Sequence, residues 1–315
     1  MSETYRHFFV KALYDMRESV ILGMDQRRKP QEKEGTKQMK FDMHCHTKYG
    51  SIDAKVSITD YVRLLSEKGY QGMLVTDHDS YDGYNVWKKT PLSRETDFVV
   101  LKGIEYDTRD AGHFIVIMPD GVEIKALSIR GMSVNSLIEL VHKYDGILGP
   151  AHPFGIRSSS AMLFHRLKKD ASILNDFDFI EAFNSCESKE ANRLSDALTY
   201  EYMKPGFGGS DSHDYKYVGM GYTDIDAEIR SNDDLIDAIR QGVPITCGGK
   251  ERGWTFKSMN AHAFYSVYGF MLYNKGLGAL LSPYRSYKIR KAGSVDDRRI
   301  KLRKNTKSAA KKRES

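Results

Sequence analysis

From Lys40 onward the chain alternates short apolar runs with longer stretches whose apolar positions recur every three or four residues. The runs cover 40–44, 71–76, 98–105, 113–118, 146–151, 177–183, 206–210 and 243–247, and their length and residue types predict strands. Between them, 57–68, 133–144, 187–203 and 232–241 carry the helical period. Ser57 and Asp60 form a capping pattern, Ser133 and either Asn232 or Asp233 are further caps, and Gly69, Gly146 and Gly242 fall where helices should stop. This alternation predicts β-α units, a largely parallel sheet and an α/β class. Seven or eight strands over about 210 residues fit a closed barrel better than an open sheet.

The ends of the chain read differently. Tyr5, Phe8, Phe9, Ala12, Leu13, Met16 and Val20 lie on one stripe of a helix expected over 4–23, and the polar stretch to residue 39 reads as a linker. Residues 251–285 form an aromatic helical segment. Its core, 258–281, approaches membrane-spanning length but contains His262, Asn274, Lys275 and three glycines, so a helix packed on the barrel or at an interface is expected and a transmembrane span is not. From Ser286 to Ser315 there are 12 Lys/Arg against 3 Asp/Glu. The remainder is slightly acidic, so the net charge of +6 belongs to a basic tail. Such a tail is expected to be a disordered, solvated extension, with nucleic acid or an anionic surface as a possible partner. The division is therefore 1–39, 40–250, 251–285 and 286–315. Three widely spaced cysteines give no disulfide framework and suggest a reducing compartment; with no secretory leader, a cytoplasmic location is expected.

The candidate chemistry sits at strand ends. Successive side chains of a strand alternate faces, so His44 and His46 project together. Asp53 follows in the next loop, then His78 in VTDHD, Glu105 in KGIEY, His152 in GPAHPFG, and Asp211 and His213 in GGSDSH. His113 precedes its strand and requires an antiparallel or distorted segment. In a parallel barrel all C-terminal strand ends share one face, so these residues converge. Six histidines, two aspartates and one glutamate form a nitrogen and oxygen donor set suited to Mn, Zn or Fe. Nine donors exceed the needs of one ion, which points to two or three. Each has a plainer alternative: a turn at His152, an ion pair at Glu105, a helix cap at Asp53. His7, His142, His165 and His262 lie on expected helices away from strand ends and read as surface or packing residues.

Those motifs, DMHCHTKYGSID, VTDHD, KGIEY, GPAHPFG and GGSDSH with DFIEAFNS, occur in the order seen in the PHP (polymerase and histidinol phosphatase) superfamily, which residues 40–248 resemble. The resemblance implies a distorted (β/α)7 TIM-like barrel with a trinuclear metal site at its C-terminal rim. It implies one ion held by His44, His46, Glu105 and Asp211, a second by Glu105, His113 and His152, and a third by Asp53, His78 and His213. The spacing from His46 to Asp53 is two residues longer than the common family pattern. Asp42, Asp77, Asp79 and Glu181 become candidates for orienting the ligand imidazoles.

Clustered divalent ions generate hydroxide near neutral pH and neutralise phosphate oxygens. No nucleophile elbow or P-loop is present. The expected reaction is in-line attack of metal-generated hydroxide on a phosphate monoester, with Asp211 essential, His213 or His78 protonating the leaving oxygen if not fully engaged by metal, and Arg157 clamping a phosphate oxygen. The tail and the aromatic segment tilt the substrate toward a nucleotide or oligonucleotide end. Histidinol phosphate and phosphotyrosine, an amidohydrolase-like reaction, and a metal-stabilised binding module are the alternatives.

Overall fold

The computed structural model describes residues 38–155, 159–253 and 280–293. The helix expected over 4–23, nearly all of the linker, Arg157, His7, His262 and most of the 258–281 stretch lie outside the described residues. Strands β1 (Met39–Cys45), β2 (Gly72–Val75), β3 (Val99–Asp107), β4 (His113–Ile117) and β5 (Ile147–Pro150) are followed by β6 (Ile180–Asn184), β7 (Gly206–Gly209), β8 (Gly221–Ile225) and β9 (Ile245–Gly249). Seven of them form one curled sheet in the order β5-β4-β3-β2-β1-β8-β9, and β6 pairs with β7.

Backbone contacts close the curl into a distorted barrel. Asp178 N–H donates to Leu148 O at 2.9 Å, which joins β6 to β5. Asp211 N–H donates to His44 O at 2.8 Å, and Cys45 bridges Ser212, which joins the end of β7 to β1. Gly209 permits this closure, because a Cβ there would stand 2.3 Å from His44 Cβ.

The sheet is less parallel than the alternation of elements suggests. β1, β2 and β3 run parallel, but β4 is antiparallel to β3 and to β5, and β8 and β9 join antiparallel beyond β1. Only 108–112 separates β3 from β4, too short for a parallel crossover, which needs a dozen residues or more. Gly112, at φ +77°, makes the reversal and delivers His113 to the rim.

Helices α1 (Ile58–Glu67), α2 (Asp82–Trp87), α3 (Leu92–Glu95), α4 (Val134–Lys143), α5 (His165–Lys169), α6 (Lys189–Glu201) and α7 (Asn232–Arg240) connect the strands. Ser57, Ser133, Ser188 and Ser231 each accept a backbone N–H at the first turn of α1, α4, α6 and α7. At α7 the cap is thus Ser231 rather than Asn232 or Asp233. Asn232 is buried instead, with its side-chain amide donating to the carbonyls of Lys102 and Met118 at 2.7 Å. After α4 the left-handed position belongs to Asp145 (φ +60°), one residue before Gly146. Among the described residues a further helix, α8, covers 280–293 and crosses residue 285, the expected boundary between aromatic segment and tail.

Among the described residues, two apolar clusters hold the barrel. Phe41, Met43, Leu74, Leu101, Ile115, Ile147, Phe179 and Phe207 fill one, with Phe179 and Phe207 stacked at 4.3 Å. Ile58, Tyr61, Val62 and Leu65 of α1 pack on Met73 and Val75 in the other. Among the described residues, no helix is long and apolar enough to cross a membrane.

Candidate metal centre

Above the apolar filling, the strand ends bring polar side chains together. His44 and His46 are fully buried, and Glu105, His113, His152 and Asp211 nearly so. Glu105 is the hub. Its Oε1 lies 2.9 Å from His113 Nδ1 and 2.8 Å from His152 Nε2; its Oε2 lies 3.1 Å from His78 Nδ1, 3.2 Å from His46 Nε2 and 3.4 Å from His44 Nε2. Asp211 Oδ1 stands 3.3 Å from His46 Nε2 and 3.6 Å from His213 Nδ1. Asp53 is at the solvent edge, with Oδ2 3.3 Å from His213 Nε2 and 3.9 Å from His78 Nε2.

Three overlapping groups could each hold an ion: His44, His46 and Asp211; His78, Glu105 and His113; and His46, His78 and His213. The partition differs from the one implied by resemblance, since His78 also faces Glu105 and His46 also faces His78 and His213. Asp53 and His152 lie outside these three groups but within 3.3 Å and 2.8 Å of a member. Arg157 lies outside the described residues.

Hydrogen bonds on the far side of the imidazoles fix their tautomers. His44 Nδ1–H donates to Glu181 Oε1 at 2.8 Å. His46 Nδ1–H donates to Ser51 Oγ at 3.0 Å, because the Ser51 hydroxyl is itself committed to Asp77 Oδ1 at 3.1 Å. His152 Nδ1–H donates to Ser160 Oγ, whose hydroxyl donates to Gly155 O at 2.6 Å. Each Nε2 then points inward. The His44 and His46 Nε2 atoms face each other at 3.0 Å, a distance that either a proton on one ring or a shared cation would bridge. Buried imidazoles backed by carboxylate or hydroxyl partners are the usual setting of a metal ligand. The residues present therefore fit divalent ions.

The carboxylates are held ready for that role. Burial disfavours charge on Glu105, but His113, His78 and His44 outweigh it and keep its pKa well below the ordinary range. For Asp211, burial is likewise outweighed, by His44, His46 and His213. Asp42 and Asp79 go the other way, each pushed up to about 6 by burial. Neither touches an imidazole by hydrogen bond. Asp42 accepts Ser210 N–H at 2.8 Å, Asp79 accepts Asp107 N–H and Arg130 Nε–H at 3.0 Å, and Asp77 gathers Thr47, Ser51 and Gly83. Of the four expected orienting carboxylates, only Glu181 bonds an imidazole directly; Asp77 reaches His46 through Ser51.

Backbone geometry concentrates here too. His152 (φ +31°), Asp211 (φ +48°) and Asp79 (φ +47°) occupy the left-handed region, a strained state common around functional residues. The face-sharing logic of a strand consequently does not apply to Asp211 and His213, since β7 ends at Gly209.

Several contributors are not among the candidate residues named from the sequence. Asn184 Nδ2 donates to Glu181 and to Asp211 Oδ2 at 3.2 Å. Arg252 Nη2 donates to the carbonyls of Ser210 and Asp211 at 2.5 and 2.7 Å, and its guanidinium lies 4.1 Å above the Tyr217 ring. Ser51 was findable, being five residues past His46 in the same ligand loop. Of the histidines set aside, His142 pairs with Asp178 at 3.0 Å and His165 opens α5.

Among solved structures, PsfC from Pseudomonas syringae PB-5123 superposes with a TM-score of 0.52 at 15% identity, over 76% of this chain and 99% of that one. Endonuclease Q in complex with a 27-mer duplex gives 0.53 at 16% identity, over 68% of this chain and 60% of its own. The lesion-specific endonuclease PfuEndoQ from Pyrococcus furiosus gives 0.50 at 17% identity, over 67% and 58%. At these identities the likeness is one of fold. No curated protein matches the chain. The PHP domain model matches residues 42–182 and the PHP-associated model residues 189–244. The barrel and its ring of imidazoles and carboxylates thus place this chain in the PHP family.

Proposed function

We propose that the chain is a metal-dependent phosphoesterase that removes a phosphate monoester, with a nucleotide or oligonucleotide end as the favoured substrate. The observation that carries this reading is the close approach of the His44 and His46 Nε2 atoms, 3.0 Å apart and flanked by Asp211 and Glu105. His44, His46, Asp211 and Glu105 would hold one ion, Glu105, His113 and His152 a second, and His78, His213 and Asp53 a third, each Mn, Zn or Fe. When bound, the ions supply an activated water and neutralise phosphate oxygens.

The chain's own residues give the site a direction. His44 and His46 are sealed, whereas His78, His213 and Asp53 are 24%, 27% and 56% exposed at the side chain. Substrate enters over this exposed edge. Whichever of His213 and His78 is not fully engaged by metal stands where a departing oxygen needs a proton, with Asp53 beside both. Asp211, pinned by Arg252 and Asn184, holds His46 and His213 in register. Arg157 keeps the proposed role of phosphate clamp.

A phosphodiester substrate is the second reading. It is favoured by the fold likeness to Endonuclease Q, described in complex with a duplex carrying an abasic lesion at the active site.

The test is a phosphatase panel on chelator-stripped protein reloaded with Mn, Zn or Fe. It includes nucleoside 5′-monophosphates, 3′,5′-bisphosphates, histidinol phosphate, phosphotyrosine peptide, short RNA and an abasic duplex. Turnover of a monoester that disappears in Asp211→Ala supports the proposal; no turnover of any substrate with any metal overturns it.

A further inference from the structure

Helix α8 lies beyond the segments matched by the family models, and over 280–293 it has four basic residues and no acidic one. Leu280, Tyr284 and Tyr287 are 78%, 56% and 57% exposed. Spacings of four and three put them on one stripe. Lys288 and Arg290 are exposed on either side of it, while Leu281, Arg285 and Ile289 turn inward and are partly buried. Lys288 Nζ lies 4.8 Å from the Tyr284 ring centroid.

The helix touches a loop that is tied to the rim by hydrogen bonds. Arg285 Cδ lies 3.7 Å from where a Cβ on Gly131 would sit. Gly131 N–H donates to Asp107 O at 2.9 Å, and the neighbouring Arg130 donates to Asp79, the residue after His78.

We infer that the outer stripe of α8 is a binding track for single-stranded nucleic acid, leading a strand toward the metal centre; this rests on the phosphoesterase reading and extends it. Exposed aromatic faces flanked by cations match the two parts of a single strand. Bases stack on tyrosine and phosphates pair with lysine and arginine, without sequence preference. Tyr284 and Tyr287 are separated by a rise of about 4.5 Å along the helix, close enough for neighbouring bases. A membrane-binding face would need a band of bulky apolar groups, and this stripe offers one aliphatic side chain, Leu280. The sequence stays basic after residue 293, with nine Lys/Arg against three Asp/Glu over 294–315.

The experiment uses the full chain in chelator, so that nothing is cleaved, and a labelled oligodeoxyadenylate of about 12 nucleotides followed by anisotropy over a salt series. The double variant Tyr284→Ala/Tyr287→Ala should bind about 10- to 100-fold more weakly. Lys288→Ala should flatten the plot of log affinity against log salt by about one unit of slope. Hydrolysis of a nucleoside monophosphate should be unchanged in both. Wild-type affinity and slope in both variants would overturn the track, as would binding to phosphatidylserine vesicles but not to the oligonucleotide. Failure of the phosphoesterase reading would show separately, as wild-type protein that hydrolyses no phosphoester.

Discussion

Arg252 grips Asp211 by its main chain: the guanidinium Nη2 donates to the Asp211 carbonyl across 2.7 Å, at a residue held in the left-handed region with φ +48°. The same carbonyl accepts His213 Nδ1–H at 3.1 Å. One arginine beyond β9 therefore fixes two residues of the rim, without facing the metal positions itself.

Replacing Arg252 with alanine should cost about 10- to 100-fold in metal affinity. Arg252→Lys should recover only part, because an ammonium lacks the planar fork that reaches Ser210 and Asp211 together. Metal stoichiometry by elemental analysis, with circular dichroism to confirm folding, checks this. Full metal content in the alanine variant would show the grip to be unnecessary.

Glu181→Ala removes the acceptor that holds the His44 proton on Nδ1 and also the partner of His152 N–H. Metal affinity should fall by about 10- to 100-fold, read by competition with a fluorescent chelator. An unchanged constant would mean that the imidazole keeps its orientation without the carboxylate.

Gly209→Ala places a methyl group against His44 Cβ, where only 2.3 Å is available. Overpacking of this kind costs about 1–3 kcal/mol. Urea unfolding of metal-free protein should show a lower midpoint at unchanged slope, and a wild-type midpoint would refute the close approach of β7 to β1.

The His142–Asp178 pair gives a pH dependence away from the metal centre. The hydrogen bond to Asp178 lifts the His142 pKa above the ordinary 6.5, against the opposing effect of burial. A histidine whose folded pKa is raised stabilises the fold fully below the unfolded value and loses that contribution as pH rises through the folded one. With the ring 39% exposed, solvent screening keeps the contribution to about 0.5 kcal/mol. The stability gap between wild type and His142→Ala should therefore be larger at about pH 5.5 than at about pH 8.5. A gap that grows with pH contradicts the pairing.

Chelation should lower the thermal midpoint, and returning metal at about 100 times its dissociation constant should restore about 2.7 kcal/mol. Identical melting curves with chelator and with Mn, Zn or Fe would mean that the imidazole cluster binds none of them.

Most of the fold was legible because its strands are short apolar blocks at regular intervals, and all of β1 to β7 overlap the runs read from the pattern. β8 was missed because Gly-Tyr-Thr-Asp-Ile alternates over only five residues and gains its place by pairing with β1. The antiparallel β4 was foreshadowed by His113 standing before its strand; the five-residue connection behind it states the same thing through chain length. All eight of the nine candidate ligands that are not Asp53 come from strand ends or the turns just past them. Asp53 lies on the longer loop and reaches the cluster only through His213 and His78. Arg252 and Ser160 were invisible for a different reason. They act by hydrogen bonds whose partners are distant in sequence or belong to the main chain, and residue type alone carries no trace of such bonds.

Glu105 lies within 3.4 Å of nitrogen atoms from five imidazoles. A single carboxylate in that position cannot serve its neighbours one at a time, since any cation drawing on its charge alters the field felt by the rest. Each ion taken up would weaken the hold on the next, and under scarcity the protein would pass through partly filled molecules rather than divide into full and empty ones.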